Sequence, residues 1–384
     1  MLILTEHTRS EPVLLTIEQQ TRLMDWFKST LEPAPGGLVT ITPGPYVGSA
    51  DIGGLRVVVR PKVPVDRILQ LISESADPYR WLQLDADGLA NSDLQDAVAA
   101  LFLQACRRTF ERGLYRSYHR ERQRLPFIRG RILIPQMIRA ITPIPITVEA
   151  DVFDDDVAEN QVLAAALHVV RISTSLAPVT RSAAYEAWKE IKHLTPLPDP
   201  LRGAERIVWT RRNQYYRQAV ELAKLVLSAG TVEQSVGTST LPGFVIDMPR
   251  LVEQWVRVRL RRAWNLDERQ MPDSWKSRLW LDSAHKTELQ PDLAVRLGEH
   301  WAFLGDVKYK VLEDKGVRRE DMYQMLAYLT ATDTEEGVLL YLGTSSGSET
   351  RVIPQTGARI RVVGVDLSSP TAGDDMVRSV GGLR

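Results

Sequence analysis

LQPDLAVRLGEHWAFLGDVKYK, residues 289–310, decides how the C-terminal part of this chain folds. Two apolar runs flank a GEH turn, a pattern that predicts a β-hairpin. Pro291-Asp292 opens the first strand, and Asp306-Val307-Lys308 lies near the end of the second. Strand side chains alternate between faces, so Phe303, Val307 and Tyr309 point one way and Leu304, Asp306 and Lys308 the other. A carboxylate and an ammonium two residues apart therefore share a face, and another carboxylate heads the neighbouring strand. Such a donor set suits a divalent metal ion with a water held beside it.

The flanking text extends the pattern. FVIDMPRLVEQWVRVRLRRAW (244–264) predicts a short strand over Phe244–Asp247 and then a helix, with Leu251, Trp255 and Val258 near one face and Glu253 beside it. After the hairpin, EDMYQMLAYLTAT (320–332) predicts a helix with Gln324 and Tyr328 on one face, and GVLLYLG (337–343) a core strand. RVIPQ, RIRVVGVDL and a loose tail close the chain. Phosphodiester hydrolysis needs a Mg²⁺-class ion to neutralise developing charge and to acidify the attacking water. Asp292 and Asp306 are the expected ligands, with the Val307 carbonyl as a third and Glu253 completing the shell or holding a metal-bound water. Lys308 is expected to orient or deprotonate the water and offset charge. Gln324 and Tyr328 would steady Lys308 or a phosphate, and Lys310 would meet phosphate farther along the groove.

Each residue also has a plainer account. Asp292 can form a turn, Asp306 and Lys308 an exposed strand face, and Gln324 with Tyr328 an interface. Glu253 and Arg257, spaced i,i+4, can form a surface ion pair. PD followed by DxK recurs by chance; the order helix, strand, strand, helix, strand around it is the stronger sign.

Upstream, residues 1–88 predict a β-rich module. Thr16 and Gln19 form a capping-box pattern before a helix carrying Ile17, Leu23, Met24 and Phe27, and EPAPGG and Gly53-Gly54 punctuate the strands that follow. Arg56, Arg60 and Lys62 read as a solvated strand face, with DNA contact as the sharper alternative. Residues 89–235 predict a mainly helical middle region. It opens with a Ser92–Gln95 capping box and the stripe Leu94, Val98, Leu101, Ala105, with Cys106 packed nearby. GLYRSYHRERQRLPFIRGRILIPQ interleaves aromatics and arginines, which fits nucleic acid or an interdomain surface. Asp154, Asp155, Asp156 and Glu159 suit a helix N-terminus. Residues 230–243 predict an exposed linker before the C-terminal domain, 244–370.

Composition narrows the class. With 48 basic and 48 acidic residues the formal net charge is zero, against a solitary DNA binder with a strong positive field. A single cysteine excludes internal disulfides and cysteine-rich metal sites. Without an apolar leader or a long apolar run, the expectation is a cytoplasmic protein with no membrane partner.

Residues 244–342 resemble the PD-(D/E)xK nuclease core, in the branch with a QxxxY helix. The whole chain resembles the McrC family, nuclease subunits of the McrBC modification-dependent restriction systems. The resemblance extends to Val47-Gly48, Gly53-Gly54 and Pro61-Lys62, GLYRSY from Gly113, RGRI from Arg129, and Glu159-Asn160. The implied fold is α+β and multidomain, with a β-rich N-terminal partner-binding module, a helical middle and an α/β nuclease core. The implied activity is Mg²⁺-dependent cleavage of double-stranded, methylcytosine-containing DNA. It depends on an McrB-like AAA+ GTPase that binds the GTP and whose hydrolysis this subunit stimulates. Consistent with that division, no GxxxxGK[ST] phosphate loop occurs here. Arg56 and Arg60 are candidates for an arginine acting on the partner's nucleotide. A PD-(D/E)xK nuclease of another defence or repair system, or a non-catalytic activator of an AAA+ partner, are the alternatives.

Overall fold

The computed structural model describes residues 1–76, 94–134, 144–230, 243–274, 277–310 and 317–383. Ser92 of the expected capping box and nearly all of the 230–243 linker lie outside the described residues. The chain divides into two compact units, residues 1–98 with 242–384 and residues 99–241.

The first segment of the first unit contains β1 (Leu2–Thr5), α1 (Ile17–Phe27), β2 (Thr30–Ala34), β3 (Leu38–Thr42), β4 (Tyr46–Ile52), β5 (Leu55–Arg60) and α2 (Val65–Ala76). The capping box at Thr16 is formed in both directions, which satisfies two amide donors left over at the helix start. α1 buries Leu23, Trp26 and Phe27, whereas Ile17 and Met24 are exposed. β4 and β5 form a hairpin, and β1 joins β5 in parallel.

The second unit contains most of α3 (Leu94–Phe110), then β6 (Ser117–Leu125), β7 (Arg131–Ile132), β8 (Ile146–Asp154), α4 (Ala158–Ile172), α5 (Pro178–Ile191), α6 (Pro200–Glu205) and α7 (Arg217–Gly230). Its helices pack through α4, which contacts α5, α6 and α7. The region read as mainly helical thus also carries an antiparallel sheet, ordered β6-β8-β7. Its pattern is muted because alternate residues of β6, from Tyr118 through Arg120, Arg122 and Arg124, are all exposed. Gly130 of RGRI sits where the strands nearly touch: a Cβ there would lie 2.3 Å from the Glu149 carbonyl oxygen. Cys106 is buried.

A buried network joins two of the upstream motifs. Tyr216 donates its hydroxyl to Asn160 Oδ1 at 2.5 Å, and Asn160 Nδ2 donates to the Tyr115 carbonyl at 2.9 Å. The Tyr115 N–H returns to the Tyr216 oxygen at 2.9 Å. Glu159 lies in the first turn of α4, as expected of an acidic residue there, and is buried, accepting from Asn213 at 2.7 Å. GLYRSY and Glu159-Asn160 therefore hold this unit together.

The chain re-enters the first unit through β9 (Gly243–Asp247), followed by α8 (Met248–Ala263), β10 (Leu279–Trp280), β11 (Glu288–Leu289), β12 (Leu293–Leu297), β13 (His300–Lys308), α9 (Arg319–Thr332), β14 (Glu336–Gly343), β15 (Gly347–Val352), β16 (Arg359–Asp366) and α10 (Ala372–Val380). β9 pairs with β4, completing a sheet ordered β1-β5-β4-β9. Gly48 permits this pairing: its φ is +136°, and a Cβ would lie 2.2 Å from the Phe244 carbonyl oxygen.

The other large sheet is mixed and ordered β12-β13-β14-β16-β15. β12 and β13 are an antiparallel hairpin with the two-residue turn Gly298-Glu299, so His300 already belongs to the strand. β13, β14 and β16 run parallel, the first two linked through α9. Leu304, Leu339, Ile360 and Val362 form one buried core with Met325, Tyr328 and Leu329 of α9. α8 packs on β13, α10 on β16, and the two helices on each other. The expectation of a loose C-terminal tail is corrected: Ala372, Met376 and Val380, one helical turn apart, are buried and fix α10 against the sheet. Burial of a side chain such as Met376 stabilises by about 1.5–3 kcal/mol. Among the described residues, no helix is long and apolar enough to cross a membrane.

Candidate active site

The hairpin, α8 and α9 bring the singled-out residues together. Asp292 precedes β12 and is tied to the partner strand, its Oδ2 accepting the Val307 N–H at 2.8 Å. Asp306 is buried on β13 and pairs through Oδ2 with Lys308 Nζ. Val307 thus contributes its amide to the Asp292 carboxylate, while its carbonyl is the atom expected at a metal.

Lys308 is held from several sides. Its ammonium donates to Gln324 Oε1 at 2.9 Å, and Asp321 Oδ1 lies 3.8 Å away. Gln324 Nε2 donates to the Tyr328 oxygen at 2.7 Å, and the Tyr328 hydroxyl donates to the Gln290 carbonyl at 3.0 Å. This chain of bonds joins α9 to the residues leading into Asp292. Lys310 does not project freely: its ammonium donates to Asp321 Oδ2 at 2.6 Å, where Tyr341 also donates at 2.5 Å.

Glu253 approaches from α8, but its carboxylate is engaged by Arg257. Arg257 is buried, so the surface ion pair expected from the i,i+4 spacing is corrected. The guanidinium also donates to the Asp292 carbonyl at 3.1 Å and faces Asp273 at 3.7 Å. A guanidinium presents several donors in a fixed plane, which allows it to bind Glu253 and the backbone beside Asp292 together.

The electrostatics follow from enclosure. Burial, then the negative charges of Asp306 and Glu253, push the Asp292 carboxyl up to about 8. Burial likewise raises Asp306, against the opposing pull of Lys308. For Lys308 burial acts downward, yet Asp306, Asp292 and Asp321 outweigh it and its pKa lies above that of an ordinary lysine. Lys308 is therefore held as an ammonium among these carboxylates. Asp321 is lowered: burial opposes ionisation, but bonds from Lys310 and Tyr341 prevail. Among the described residues, no group of three or more histidine, cysteine, aspartate or glutamate side chains is gathered so as to hold a metal ion. Two carboxylates converge, and Glu253 is turned to Arg257.

Two residues take parts here that the sequence pattern does not reveal. Arg257 was accounted for as a surface charge. Asp321 stands three residues before Gln324, on the same helical face, a spacing that points it at the same ammonium.

Known proteins share first the fold and then the family of this chain. A solved structure described as a refined half-complex from a tetradecameric assembly of Thermococcus gammatolerans McrB AAA+ hexamers with bound McrC contains a chain of similar fold. The TM-score is 0.54 and the identity 19%, over 99% of this chain and 99% of that one. A chain in the cryo-EM structure of the Thermococcus gammatolerans McrBC complex aligns with a TM-score of 0.43 and 21% identity, over 68% of this chain and 87% of that one. Curated proteins yield no match. Residues 41–342 match the family model described as McrBC 5-methylcytosine restriction system component. The chain belongs to that family.

Proposed function

We propose that this chain is the Mg²⁺-dependent endonuclease subunit of a methylcytosine-dependent restriction complex, built on a PD-(D/E)xK core in residues 244–370. The observation that carries the reading is the convergence of Asp292, Asp306 and Lys308 at the hairpin, with Lys308 bonded to Gln324. Two enclosed carboxylates that repel each other are a hard oxygen donor pair suited to a Mg²⁺-class ion, with the Val307 carbonyl and a Glu253 released from Arg257 as the further donors in this reading. Such an ion, when bound, supplies charge neutralisation at the phosphate and a more acidic water. The protein's own part is positional. Asp292 is braced by the Val307 amide and by Arg257 at its carbonyl, and Lys308 offers a fixed positive charge to the phosphoryl oxygens as their negative charge grows. Gln324 and Tyr328 hold that ammonium in line.

The partner in this reading is an McrB-like AAA+ GTPase that binds GTP and drives the complex, with residues 1–88 as the module that meets it. Family membership and the absence of a phosphate loop in this sequence support that division of labour. The decisive assay is cleavage of methylated and unmethylated plasmid with the partner, GTP and Mg²⁺. Wild type cuts the methylated plasmid, whereas Asp306→Ala and Lys308→Ala leave it intact and still stimulate the partner's GTP hydrolysis. Cutting by Asp306→Ala at the wild-type rate refutes the site. Cutting without partner leaves the nuclease and removes the complex-subunit reading.

A further inference from the structure

Glu6, one residue beyond β1, is completely buried. Its Oε1 accepts two hydrogen bonds, from the Lys62 N–H at 2.7 Å and from the Tyr309 hydroxyl at 2.6 Å. Its own N–H donates to the Arg60 carbonyl at 3.0 Å, continuing the β1–β5 pairing. The other carboxyl oxygen is buried with no hydrogen-bond partner. Removing a carboxyl from water is costly, and an apolar side chain filling the same space would avoid that cost. What the carboxyl adds is direction: a phenol hydroxyl bonded to it has a fixed place.

Tyr309 stands at a decisive point of the active-site strand. The ladder between β13 and β14 ends at the pair Lys308–Tyr341. Beyond it the backbone turns, the Lys310 N–H donating to the Lys308 carbonyl at 3.0 Å. The next side-chain anchors are Tyr309 on Glu6 and Lys310 on Asp321. Tyr309 follows the last strand residue directly, so holding its ring limits how far the end of β13 can shift or roll. That roll sets where the Lys308 ammonium lies relative to Asp306 and Gln324.

We propose that Glu6 is a positioning residue for the active site, acting through Tyr309 to fix the end of β13 from which Lys308 projects. The contact makes the first strand of the chain part of the support of the site near its other end. Its catalytic consequence rests on the nuclease reading above; the anchoring itself does not.

The experiment compares the full-length wild type with Tyr309→Phe, Glu6→Gln and Glu6→Leu, using the partner, GTP, Mg²⁺ and methylated plasmid. Amide hydrogen exchange over residues 305–310 is followed in parallel. Tyr309→Phe keeps the ring and loses only the hydroxyl. It is expected to exchange faster at 307–310, with 338–342 still protected, and to cut about tenfold more slowly with KM for DNA within about twofold, the range seen when a supporting hydrogen bond is removed. Glu6→Gln keeps an acceptor for both donors and is expected to retain cleavage near the wild-type rate, whereas Glu6→Leu slows it as Tyr309→Phe does. Unchanged exchange at 307–310 in Tyr309→Phe overturns the anchor, whether or not the chain cuts DNA. Faster exchange with a wild-type cleavage rate overturns the positioning role. A wild type that never cuts defeats the nuclease reading instead, and the exchange measurement still decides the anchor.

Discussion

Lys308 and Gln324 are joined by a 2.9 Å hydrogen bond from the ammonium to the side-chain amide oxygen. That bond spans the β13–α9 crossover and makes the hairpin and the following helix one structure. Gln324→Leu removes the acceptor while keeping the bulk. We expect DNA cleavage to slow by about 10–100-fold, as for the loss of a residue that orients a reacting group, with the melting temperature almost unchanged. Single-turnover cleavage kinetics check this, and a wild-type rate would show that Lys308 needs no such support.

The Asp292–Asp306 pair predicts a dependence on pH. A carboxyl raised in the folded state, as Asp292 is to about 8, keeps a proton that the unfolded chain has released. Its stabilising contribution is complete below the unfolded carboxyl pKa of about 4 and is lost as pH rises through the folded value. Metal-free protein should therefore lose stability as pH rises from about 4 to about 8, the window set by those two values. Asp292→Asn should flatten that slope in urea unfolding curves.

The same pair predicts stabilisation by ligand. At pH 8, near the raised Asp292 value of about 8, adding Mg²⁺ should raise the melting temperature of the wild type, since a ligand bound by the native state alone favours it. Asp306→Asn should show no such rise. Equal shifts in both proteins would locate the binding elsewhere.

Arg257 is buried against Glu253, Asp273 and the Asp292 carbonyl. Arg257→Met leaves the Glu253 carboxylate without its close partner, and the expected loss of stability is about 3–5 kcal/mol. Arg257→Lys should rescue little, because one ammonium does not reproduce a planar fork. Chemical denaturation of the three proteins measures both claims.

Gly48→Ala should be costly out of proportion to one methyl group, since the added carbon would meet the Phe244 carbonyl oxygen at 2.2 Å. We expect a loss on the order of 2–4 kcal/mol, from backbone displacement and a φ that alanine adopts poorly. A neutral substitution would mean that β4 and β9 part easily.

The hairpin was legible because its alternation is strong, and the crossover helix because Gln324 and Tyr328 repeat at helical spacing. β6 was not, because arginines and an exposed tyrosine occupy the face that usually reports a strand. α10 was missed for the opposite reason: three small or flexible apolar residues over nine positions make a faint stripe until a sheet lies beneath them. Contacts between distant residues leave no local trace. Nothing near Glu6 hints at Tyr309, 303 positions away, and nothing near Arg257 distinguishes a buried guanidinium from a surface one. The upstream motifs were visible as letters only. The structure gives Gly48, Gly130 and Asn160 their reasons: two close backbone approaches and one buried amide.

β9 belongs to a sheet whose other strands lie near the start of the chain, and Tyr46 donates to Asp247 across 201 positions at 2.9 Å. During synthesis, β4 therefore waits with an unpaired edge until the whole of the second unit has left the ribosome. The second unit, contiguous in sequence, has no such wait and can complete its own contacts first. An N-terminal fragment ending near residue 98 would keep that edge bare indefinitely, and bare edges recruit strands from other molecules. The scaffold that carries Glu6 can therefore close only after the middle of the chain has been made.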